Sequence, residues 1–280
     1  MAKGNYHTHT RHCDGTGEPA EFAEAALRKG MSRLGFTGHN VLPFPTDWTM
    51  PAENLEGYLR EVREVKRRYH GRLEVFLGIE ADYLPGVGSP THPAIRSLGL
   101  DFVLGSVHFA GPVDGANPWT VDGPAEELEK GLAASFGGDV RALVERYYRL
   151  VAEMAATAAP DIVGHFDIVK KNNRAGRWFD ERSPWYRAAA LEALAAVAGS
   201  ASVLEINTGG IVRNTSGTLY PSEWILWEAL AMGIPVMVNA DAHRPEDIDG
   251  HFAQATALLR GLGFRSQRQL TSRGWVDEDL

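Results

Sequence analysis

The chain has 280 residues, of which 44% are hydrophobic and 23% charged, and this composition is typical of a folded globular protein. No apolar run approaches the roughly 20 residues that a membrane-spanning helix needs. Polar His7 and His9 come before any signal-like stretch, so we expect a cytoplasmic protein. The net charge of −8 and the scattered basic residues disfavour a nucleic-acid surface. The single cysteine, Cys13, excludes an internal disulfide and any multi-cysteine metal site.

Short apolar runs alternate with segments of helical periodicity. The predicted strands cover 4–8, 33–37, 75–79, 102–106, 161–164, 203–206 and 235–238. The predicted helices cover 19–29, 51–69, 139–158, 184–197 and 221–232. This alternation predicts an α/β fold with a mostly parallel sheet. The length also allows two domains, but α/β barrels of about 250 residues form a single one.

Polar side chains lie at the end of every predicted strand. They are His7 and His9 at the first, His39 at the second, Glu80 at the third, His108 at the fourth, His165 at the fifth, Glu205 and Asn207 at the sixth, and Asp241 and His243 at the seventh. In a parallel barrel the carboxyl ends of the strands meet at one mouth, where active sites are built. We therefore expect these side chains to form one site.

The residue types in this set indicate a metal centre. His7 and His9 are two apart on a strand, so both imidazoles point to the same face. Alone, such a pair could as well consist of solvent-facing or core histidines, but six of the ten histidines lie at strand ends. Imidazole and carboxylate are ligands that Zn, Mn and Fe accept. With Asp14, Glu80 and Asp241 the donors number nine, which suits two or three ions because one Zn takes about three or four protein ligands.

The motifs, in this order, resemble the PHP (polymerase and histidinol phosphatase) superfamily. They are HTHT with Asp14, TGHN at His39, GIE at Glu80, GSVH at His108, GHFD at His165 and DAH at 241–243. Within the superfamily, GSVHF, GHFDIVKK and EINTGG are most similar to the histidinol-phosphate phosphatases. The resemblance implies a single domain with a distorted, TIM-like (β/α)7 barrel and a trinuclear metal site at its mouth.

The resemblance also implies how the ligands divide among the ions. The first ion would be held by His7, His9, Glu80 and Asp241, the second by Glu80, His108 and His165, and the third by Asp14, His39 and His243. Glu80 would bridge two ions and act in catalysis with Asp241 and His243. His12 is an alternative to Asp14. Many members have an acidic residue where this chain has Gly38, so we expect a weaker third ion.

The activity implied is hydrolysis of L-histidinol phosphate to L-histidinol and phosphate, a late step of histidine biosynthesis, through a hydroxide that bridges the metals. Bound cations would also offset the net charge of −8 where the phosphate binds. One alternative is another phosphoesterase of the superfamily, acting on a different phosphomonoester, a phosphodiester or a nucleic acid. Another is a non-catalytic metal-binding module, which the complete ligand set disfavours. The sequence does not distinguish Zn, Mn and Fe, and it gives no oligomeric state.

Basic residues near strand ends are candidates for binding the phosphate. Lys170 and Arg213 are favoured, with Lys171 and Arg174 as further candidates, although each could be ordinary surface charge. The proton for the leaving group could come from Asp241 or from His12.

The stretch 111–138 is rich in Gly, Pro and Asp and predicts a long loop after the fourth strand. As a lid, it would place Asp122, Trp119 and Asp114 against the cationic and imidazole end of the substrate. Trp119 could equally be a packing anchor beneath a surface loop.

Overall fold

A parallel sheet of seven strands forms the centre of the protein. The computed structural model describes residues 4–113, 118–213 and 216–280. The strands are β1 (Gly4–Asn5), β2 (Arg33–Phe36), β3 (Glu74–Asp82), β4 (Phe102–Ser106), β5 (Ile162–Val163), β6 (Val203–Asn207) and β7 (Val236–Asn239). They pair in chain order, each parallel to the next. All seven carboxyl ends therefore lie at one end of the sheet.

Helices cover the outside of the sheet. They are α1 (Pro19–Arg28), α2 (Leu55–Arg68), α3 (Pro93–Arg96), α4 (Ala125–Phe136), α5 (Val140–Thr157), α6 (Pro184–Ala198), α7 (Gly209–Val212), α8 (Glu223–Ala231) and α9 (Phe252–Leu262). The bounds of α1, α5, α6 and α8 lie within two residues of the sequence prediction. Large side chains such as Phe22, Tyr58 and Tyr148 are buried on the faces of α1, α2 and α5. No helix in the described part of the chain is both long and apolar enough to cross a membrane.

The first and last strands meet through side-chain amides, and the backbones pair directly only beyond the strands, at Thr8 and Ala242. The Asn239 side-chain oxygen accepts a hydrogen bond from the backbone N–H of Tyr6 at 2.8 Å, and the Asn5 side-chain oxygen accepts one from Ala240 at 2.9 Å. Because these bonds take the place of a regular ladder, the sheet is a nearly closed barrel. The α/β barrel expected from the sequence is confirmed.

Apolar side chains fill the amino-terminal half of the barrel. The ring of Phe102 uses space left by Gly35 and Gly78, where an added Cβ would lie 2.8 Å or less from that ring. A hairpin of β8 (Ser266–Thr271) and β9 (Gly274–Asp279) covers this end. The Tyr6 hydroxyl donates to the backbone oxygen of Leu270 at 2.6 Å. The carboxyl ends of the strands are consequently the open mouth of the barrel.

The prediction of a structureless loop over 111–138 is wrong where α4 forms. Pro124 precedes the helix, Glu126 and Glu127 lie in its first turn, and Leu128 and Leu132 are buried. These residues give the segment an acidic start and an apolar stripe, which are the usual features of a surface helix. The helix ends at Gly137, which has a φ of 59°. Asp114 lies outside the described residues.

Trp119 is a packing anchor beneath α4. Its indole N–H donates to the Ser135 hydroxyl at 3.2 Å, and its ring lies edge-on to Phe136. At Gly131 of α4 an added Cβ would lie 2.1 Å from the indole. The absence of a side chain at Gly131 is therefore what lets the helix approach Trp119.

We expect Gly131→Ala to destabilise the protein by about 1–3 kcal/mol, because overpacking forces side chains and backbone to shift. The matched control is Gly261→Ala in α9, where an added Cβ meets nothing within 4 Å. That substitution should be neutral or stabilise by up to about 1 kcal/mol. Denaturant unfolding of both variants measures the difference, and equal stabilities would contradict the packing role of Trp119.

Candidate metal centre

Nine histidine and carboxylate side chains meet at the mouth of the barrel. They form four overlapping groups whose donor atoms lie within 4.8 Å of one another: His9, Asp14, His39 and His243; His7, Glu80 and His165; His7, His9 and Asp241; and His39, Glu80 and His108. Asp14 and His243 are half-buried and the others are buried. The structure thus brings together every residue that the sequence singled out as a ligand.

Strand pairing and a local turn place these side chains. A parallel bridge pairs His39 with Glu80 just beyond the ladder of β2 and β3. The segments after β1 and β7 also run side by side, so that His9 stacks on His243 with ring centroids 4.3 Å apart. Asp241 adopts a left-handed φ of 51°. Such strain in a non-glycine residue costs on the order of 1 kcal/mol and is common at functional sites.

Glu80 lies at the centre of the cluster. One carboxylate oxygen is 3.2 Å from His7 Nε2 and 3.0 Å from His39 Nδ1. The other oxygen is 2.9 Å from His165 Nε2 and 3.7 Å from His108 Nε2. With two oxygens facing different imidazoles, Glu80 is placed to bridge two cations.

The structure brings Asp14 into the cluster and leaves His12 outside it. Asp14 Oδ2 lies 3.0 Å from His243 Nε2, and Asp14 Oδ1 lies 3.3 Å from His9 Nδ1. His12 is buried, and its Nε2 contacts Glu61 Oε2 at 2.8 Å. His9, which the resemblance assigns to the first ion, belongs both to the group with His7 and Asp241 and to the group with Asp14.

An acidic side chain at the position before His39 would be crowded. A Cβ added to Gly38 would lie 3.0 Å from the Met50 methyl group and 3.4 Å from Cys13 Sγ. The Gly38 N–H donates instead to the Tyr58 hydroxyl at 3.3 Å. The departure from the family pattern is therefore matched by the packing around it.

The charges within the cluster favour cations. Burial disfavours the imidazolium form of His7, but carboxylates, chiefly Glu205 and Asp241, outweigh it and raise the pKa of His7 to about 10. The same balance holds for His108, where Asp82 raises the pKa to about 10 against the effect of burial. In the metal-free protein, protons thus occupy imidazoles that a metal would need in neutral form.

Four buried atoms in the cluster make no hydrogen bond: His9 Nε2, His39 Nδ1, Asp14 Oδ1 and His165 Nδ1. Buried polar atoms without partners are costly and rare. His9, Asp14 and His39 belong to the same group, together with His243. A divalent cation would satisfy such atoms, so the residues present fit a metal.

We expect divalent cations to release protons when they bind to the chelated protein near pH 7. His7 and His108 have pKa values raised to about 10, so both are protonated at that pH and must lose protons to coordinate. Metal affinity should accordingly rise with pH up to about 10. Addition of Zn²⁺ to the protein in weak buffer, with the pH recorded, measures this release. Zn²⁺ binding without proton release would contradict the assignment of these imidazoles as ligands.

Two buried carboxylates lie behind the candidate ligands, and the sequence assigned neither of them to a ligand. Asp82 Oδ1 lies 2.8 Å from His108 Nδ1, and Glu205 Oε1 lies 2.7 Å from His7 Nδ1. The sequence could have placed Asp82 at the site, because it lies two residues after Glu80 on β3 and therefore faces the same side of the sheet. Glu205 was recognised at a strand end but was not connected with His7.

A cavity of about 580 Å³ opens above the cluster. Besides ligand candidates, its walls include Trp48, Thr120, Asp122, Gly123, Pro124, Ile168, Lys171, Asn172 and Arg213. Trp48 contacts the cluster directly, with its ring 4.5 Å from that of His39 and 5.0 Å from that of His108. The cavity is therefore lined by the candidate metal ligands on one side, with an aromatic and polar wall around it.

Arg213 and Asp122 line this cavity, as the substrate assignment requires. Arg213 Nη2 donates to Asp241 Oδ2 at 2.7 Å, and its Nη1 lies 3.0 Å from His243 Nδ1. Asp122 lies 3.2 Å from Lys171 Nζ. Burial opposes ionisation of Asp122, but Lys171 outweighs it and lowers the pKa of Asp122 to about 2. The cavity thus has a guanidinium beside the metal ligands and an ion pair in its outer wall.

Lys170, Arg174 and Trp119 do not line the cavity, and their assignment to substrate binding is corrected. Lys170 is buried and bound to Asp167, with an N–O distance of 2.8 Å, because the turn after β5 directs it inward. Its neighbour Lys171 faces the cavity instead. Arg174 is exposed, on a short 3₁₀ helix beyond this turn. Trp119 packs beneath α4.

A family model described as the PHP domain matches residues 5–209 of this chain. The chain belongs to the PHP family. Within that family, it is 36% identical over 266 residues to a Deinococcus radiodurans protein named "Probable histidinol-phosphatase", with 93% of this chain and 94% of the relative covered. The histidinol-phosphatase of Bacillus subtilis is 28% identical over 89% of this chain and 96% of its own length.

Solved structures support the PHP fold. A Listeria monocytogenes protein superposes with a TM-score of 0.76 at 22% identity, covering 90% of this chain and 99% of its own. A histidinol phosphate phosphatase of Lactococcus lactis, solved with Zn, L-histidinol and phosphate, superposes with a TM-score of 0.69 at 20% identity and covers 98% of both chains. The similarity in fold therefore extends over nearly the whole chain.

Proposed function

We propose that this protein hydrolyses L-histidinol phosphate to L-histidinol and phosphate, a late step of histidine biosynthesis, with two or three divalent cations bound at the mouth of the barrel. One observation carries the proposal: Arg213 lies against Asp241 and His243 at the edge of the nine-residue cluster, inside a cavity of about 580 Å³. A phosphate ester could thus contact the cations and a guanidinium together. The full-length similarity to histidinol-phosphatases selects the substrate.

Zn is the first candidate for the cation, because the Lactococcus lactis relative was solved with Zn. When bound, the cations supply Lewis-acid charge that activates water near neutral pH and neutralises the phosphoryl oxygens. The nine candidate ligands would hold these charges in place, and Glu80 belongs to two of the four groups. Bound cations would also offset the net charge of −8 where the phosphate binds.

Arg213 orients the phosphate. Its guanidinium is fixed by Asp241 and His243, so its geometry is set before substrate binds. Burial opposes ionisation of Asp241, but Arg213 and His7 hold its pKa well below the usual range. Asp241 is consequently an anionic ligand, and neither Asp241 nor His12 is placed as the general acid.

The ion pair in the outer wall serves the other end of the substrate. Lys171 and Asp122 present opposite charges to the cavity, and Asn172 fixes this wall by donating to the backbone oxygen of Gly123 at 2.9 Å. A substrate with an anionic phosphate and a cationic amine carries the same two charges. The carboxylate of Asp122 is thus suited to the ammonium and imidazole end of histidinol phosphate.

Phosphate release from L-histidinol phosphate, with Zn²⁺ or Mn²⁺ and with a chelator control, tests the proposal. A panel of other phosphomonoesters and one phosphodiester measures specificity. We expect chelator-sensitive release with the highest kcat/KM for histidinol phosphate. A higher kcat/KM for another ester would reject histidinol phosphate as the substrate but would leave the proposal of a metal-dependent phosphoesterase intact. No release from any ester would reject both parts of the proposal.

We expect Lys171→Ala to raise the KM for histidinol phosphate by about tenfold, because the ion pair that holds the Asp122 carboxylate in place is lost. A hydrogen bond between charged groups of this kind is worth about 1.5 kcal/mol or more. Lys130→Ala, at an exposed position of α4, is the matched control and should change KM by less than about twofold. Steady-state kinetics of both variants make the comparison. Equal KM values would remove Lys171 from the binding site.

A further inference from the structure

Glu205 on β6 accepts four hydrogen bonds while fully buried. Its Oε1 receives His7 Nδ1 at 2.7 Å and Asn239 Nδ2 at 3.1 Å. Its Oε2 receives the backbone N–H of His165 at 2.7 Å and Asn207 Nδ2 at 3.0 Å. Each oxygen therefore has two donors, which uses the capacity of an ionised carboxylate.

The side-chain amides of Asn207 and Asn239 have only one possible orientation next to Glu205. The Asn207 side-chain oxygen accepts the N–H of Gly209 at 2.8 Å, and the Asn239 side-chain oxygen accepts the N–H of Tyr6 at 2.8 Å. Turning either amide over would put its NH₂ group against a backbone N–H. The NH₂ groups therefore stay directed at Glu205, and Glu205 can only accept.

This arrangement determines the tautomer of His7. Because Glu205 can only accept, His7 Nδ1 must carry a hydrogen, which leaves Nε2 to face Glu80 Oε2 at 3.2 Å and Asp241 Oδ1 at 3.5 Å. Histidines that bind metals commonly donate their second N–H to a carboxylate in this way. His7 belongs to two of the four candidate metal groups.

Glu205 also reaches two further ligands. It binds the backbone of His165 directly. Asn207, which donates to Glu205, lies with the same Nδ2 atom 3.2 Å from Asp241 Oδ2. One carboxylate therefore connects three ligand candidates that come from three different strand ends.

We infer that Glu205 is the positioning residue that fixes His7 for metal binding and, through His165 and Asn207, sets the affinity of the ions held by His7. It contacts no open part of the cavity, so it acts through the ligands and not on the substrate. None of the four hydrogen bonds of Glu205 reaches the group of His9, Asp14, His39 and His243. The inference rests on the proposed function for the presence of the cations, and its test measures Zn affinity and the position of a proton.

Asp82 provides a matched comparison within the same site. It is also a fully buried carboxylate next to an imidazole, with Oδ1 2.8 Å from His108 Nδ1. Its second oxygen makes no hydrogen bond, and His108 belongs to one metal group only. Loss of the Asp82 carboxylate should therefore weaken the binding of one ion, whereas loss of the Glu205 carboxylate should weaken the binding of the ions of two groups.

The test uses Glu205→Gln and Asp82→Asn, which keep side-chain volume and remove charge. Metal-loaded proteins are dialysed against graded chelator, and Zn per chain is measured. In Glu205→Gln we expect the ions of the His7 groups to bind about 10- to 100-fold more weakly while one ion stays as tight as in the unmodified protein. In Asp82→Asn only one ion should weaken.

A second measurement needs no variant at Glu205. In Zn-loaded protein labelled with ¹⁵N-histidine, His7 should carry its proton on Nδ1, with the signal assigned through its loss in His7→Asn. A proton on Nε2 would overturn the inference, as would unchanged Zn affinity in Glu205→Gln. Equal loss of all ions with a lower unfolding temperature of the chelated variant would show a merely structural role and overturn it too. Weakened Zn binding in a protein that does not hydrolyse histidinol phosphate would keep the inference and reject the proposed function.

Discussion

Glu80→Ala is expected to release at least two metal ions together and to lower kcat/KM for histidinol phosphate by roughly 10³-fold or more. Its two oxygens face different imidazoles, with His7 at 3.2 Å on one side and His165 at 2.9 Å on the other. Removing one partner from a buried charge network costs about 3–5 kcal/mol, and about 4 kcal/mol corresponds to roughly a 10³-fold lower rate. Zn per chain and phosphate release, measured on the same preparation, give both effects.

The control for Glu80→Ala comes from the same strand. Glu74 begins β3 at the opposite end of the barrel, where it pairs with Arg33 at 3.1 Å. Glu74→Ala should retain all metal and almost full turnover. Glu80→Gln keeps the side-chain volume and should behave like Glu80→Ala, because the bridge needs a charge. Full Zn content in Glu80→Ala would refute the bridging role.

Arg213→Ala is expected to raise the KM for histidinol phosphate roughly 10- to 150-fold, which corresponds to about 1.5–3 kcal/mol for a hydrogen bond to a charged group. Metal content should stay unchanged, because Arg213 is not a candidate ligand and its loss leaves the Asp241 carboxylate ionised and free to face a cation. Inhibition by inorganic phosphate should weaken in parallel. Steady-state kinetics, phosphate inhibition and Zn per chain measure the three effects.

Arg174→Ala is the matched control for Arg213→Ala. Arg174 is exposed and does not line the cavity, so its substitution should change KM by less than about twofold. Loss of metal in Arg213→Ala would show that the guanidinium acts mainly by holding Asp241. An unchanged KM would remove Arg213 from the phosphate site.

Most of the barrel could be predicted because its strands are short apolar runs between clear helical segments. The strand 102–106 was predicted with the bounds that β4 has, since helices and neighbouring strands bury both of its faces. The ligands could be predicted for a related reason. Polar side chains directly after buried strands have few positions other than the barrel mouth.

The sequence did not predict segments whose structure depends on tertiary contacts. The helix α4 was hidden by the surrounding Gly and Pro residues, and its packing on Trp119 depends on Gly131. The predicted elements also left out the hairpin of β8 and β9, since its side chains are largely polar. The buried side chains of Gln267 and Gln269 accept hydrogen bonds from Val238 and Tyr6 of the barrel, which the hairpin sequence alone does not indicate.

The sequence did not identify which of two neighbouring lysines, Lys170 or Lys171, lines the cavity. Both follow the same family-like motif, and the sequence favoured Lys170. The outcome depends on a single 3₁₀ turn, which sends Lys170 towards Asp167 and Lys171 towards Asp122. Periodicity cannot fix a rotation of this kind because the turn has too few residues to show one.

The most direct test of the central claim is a titration of chelated protein with Zn²⁺ in which bound Zn and phosphate release from histidinol phosphate are measured on the same samples. We predict no turnover without metal and a rise that follows occupancy and ends at two or three ions per chain. Turnover that persists in the chelated protein, or full occupancy without phosphate release, would contradict the account of a metal-dependent histidinol-phosphatase.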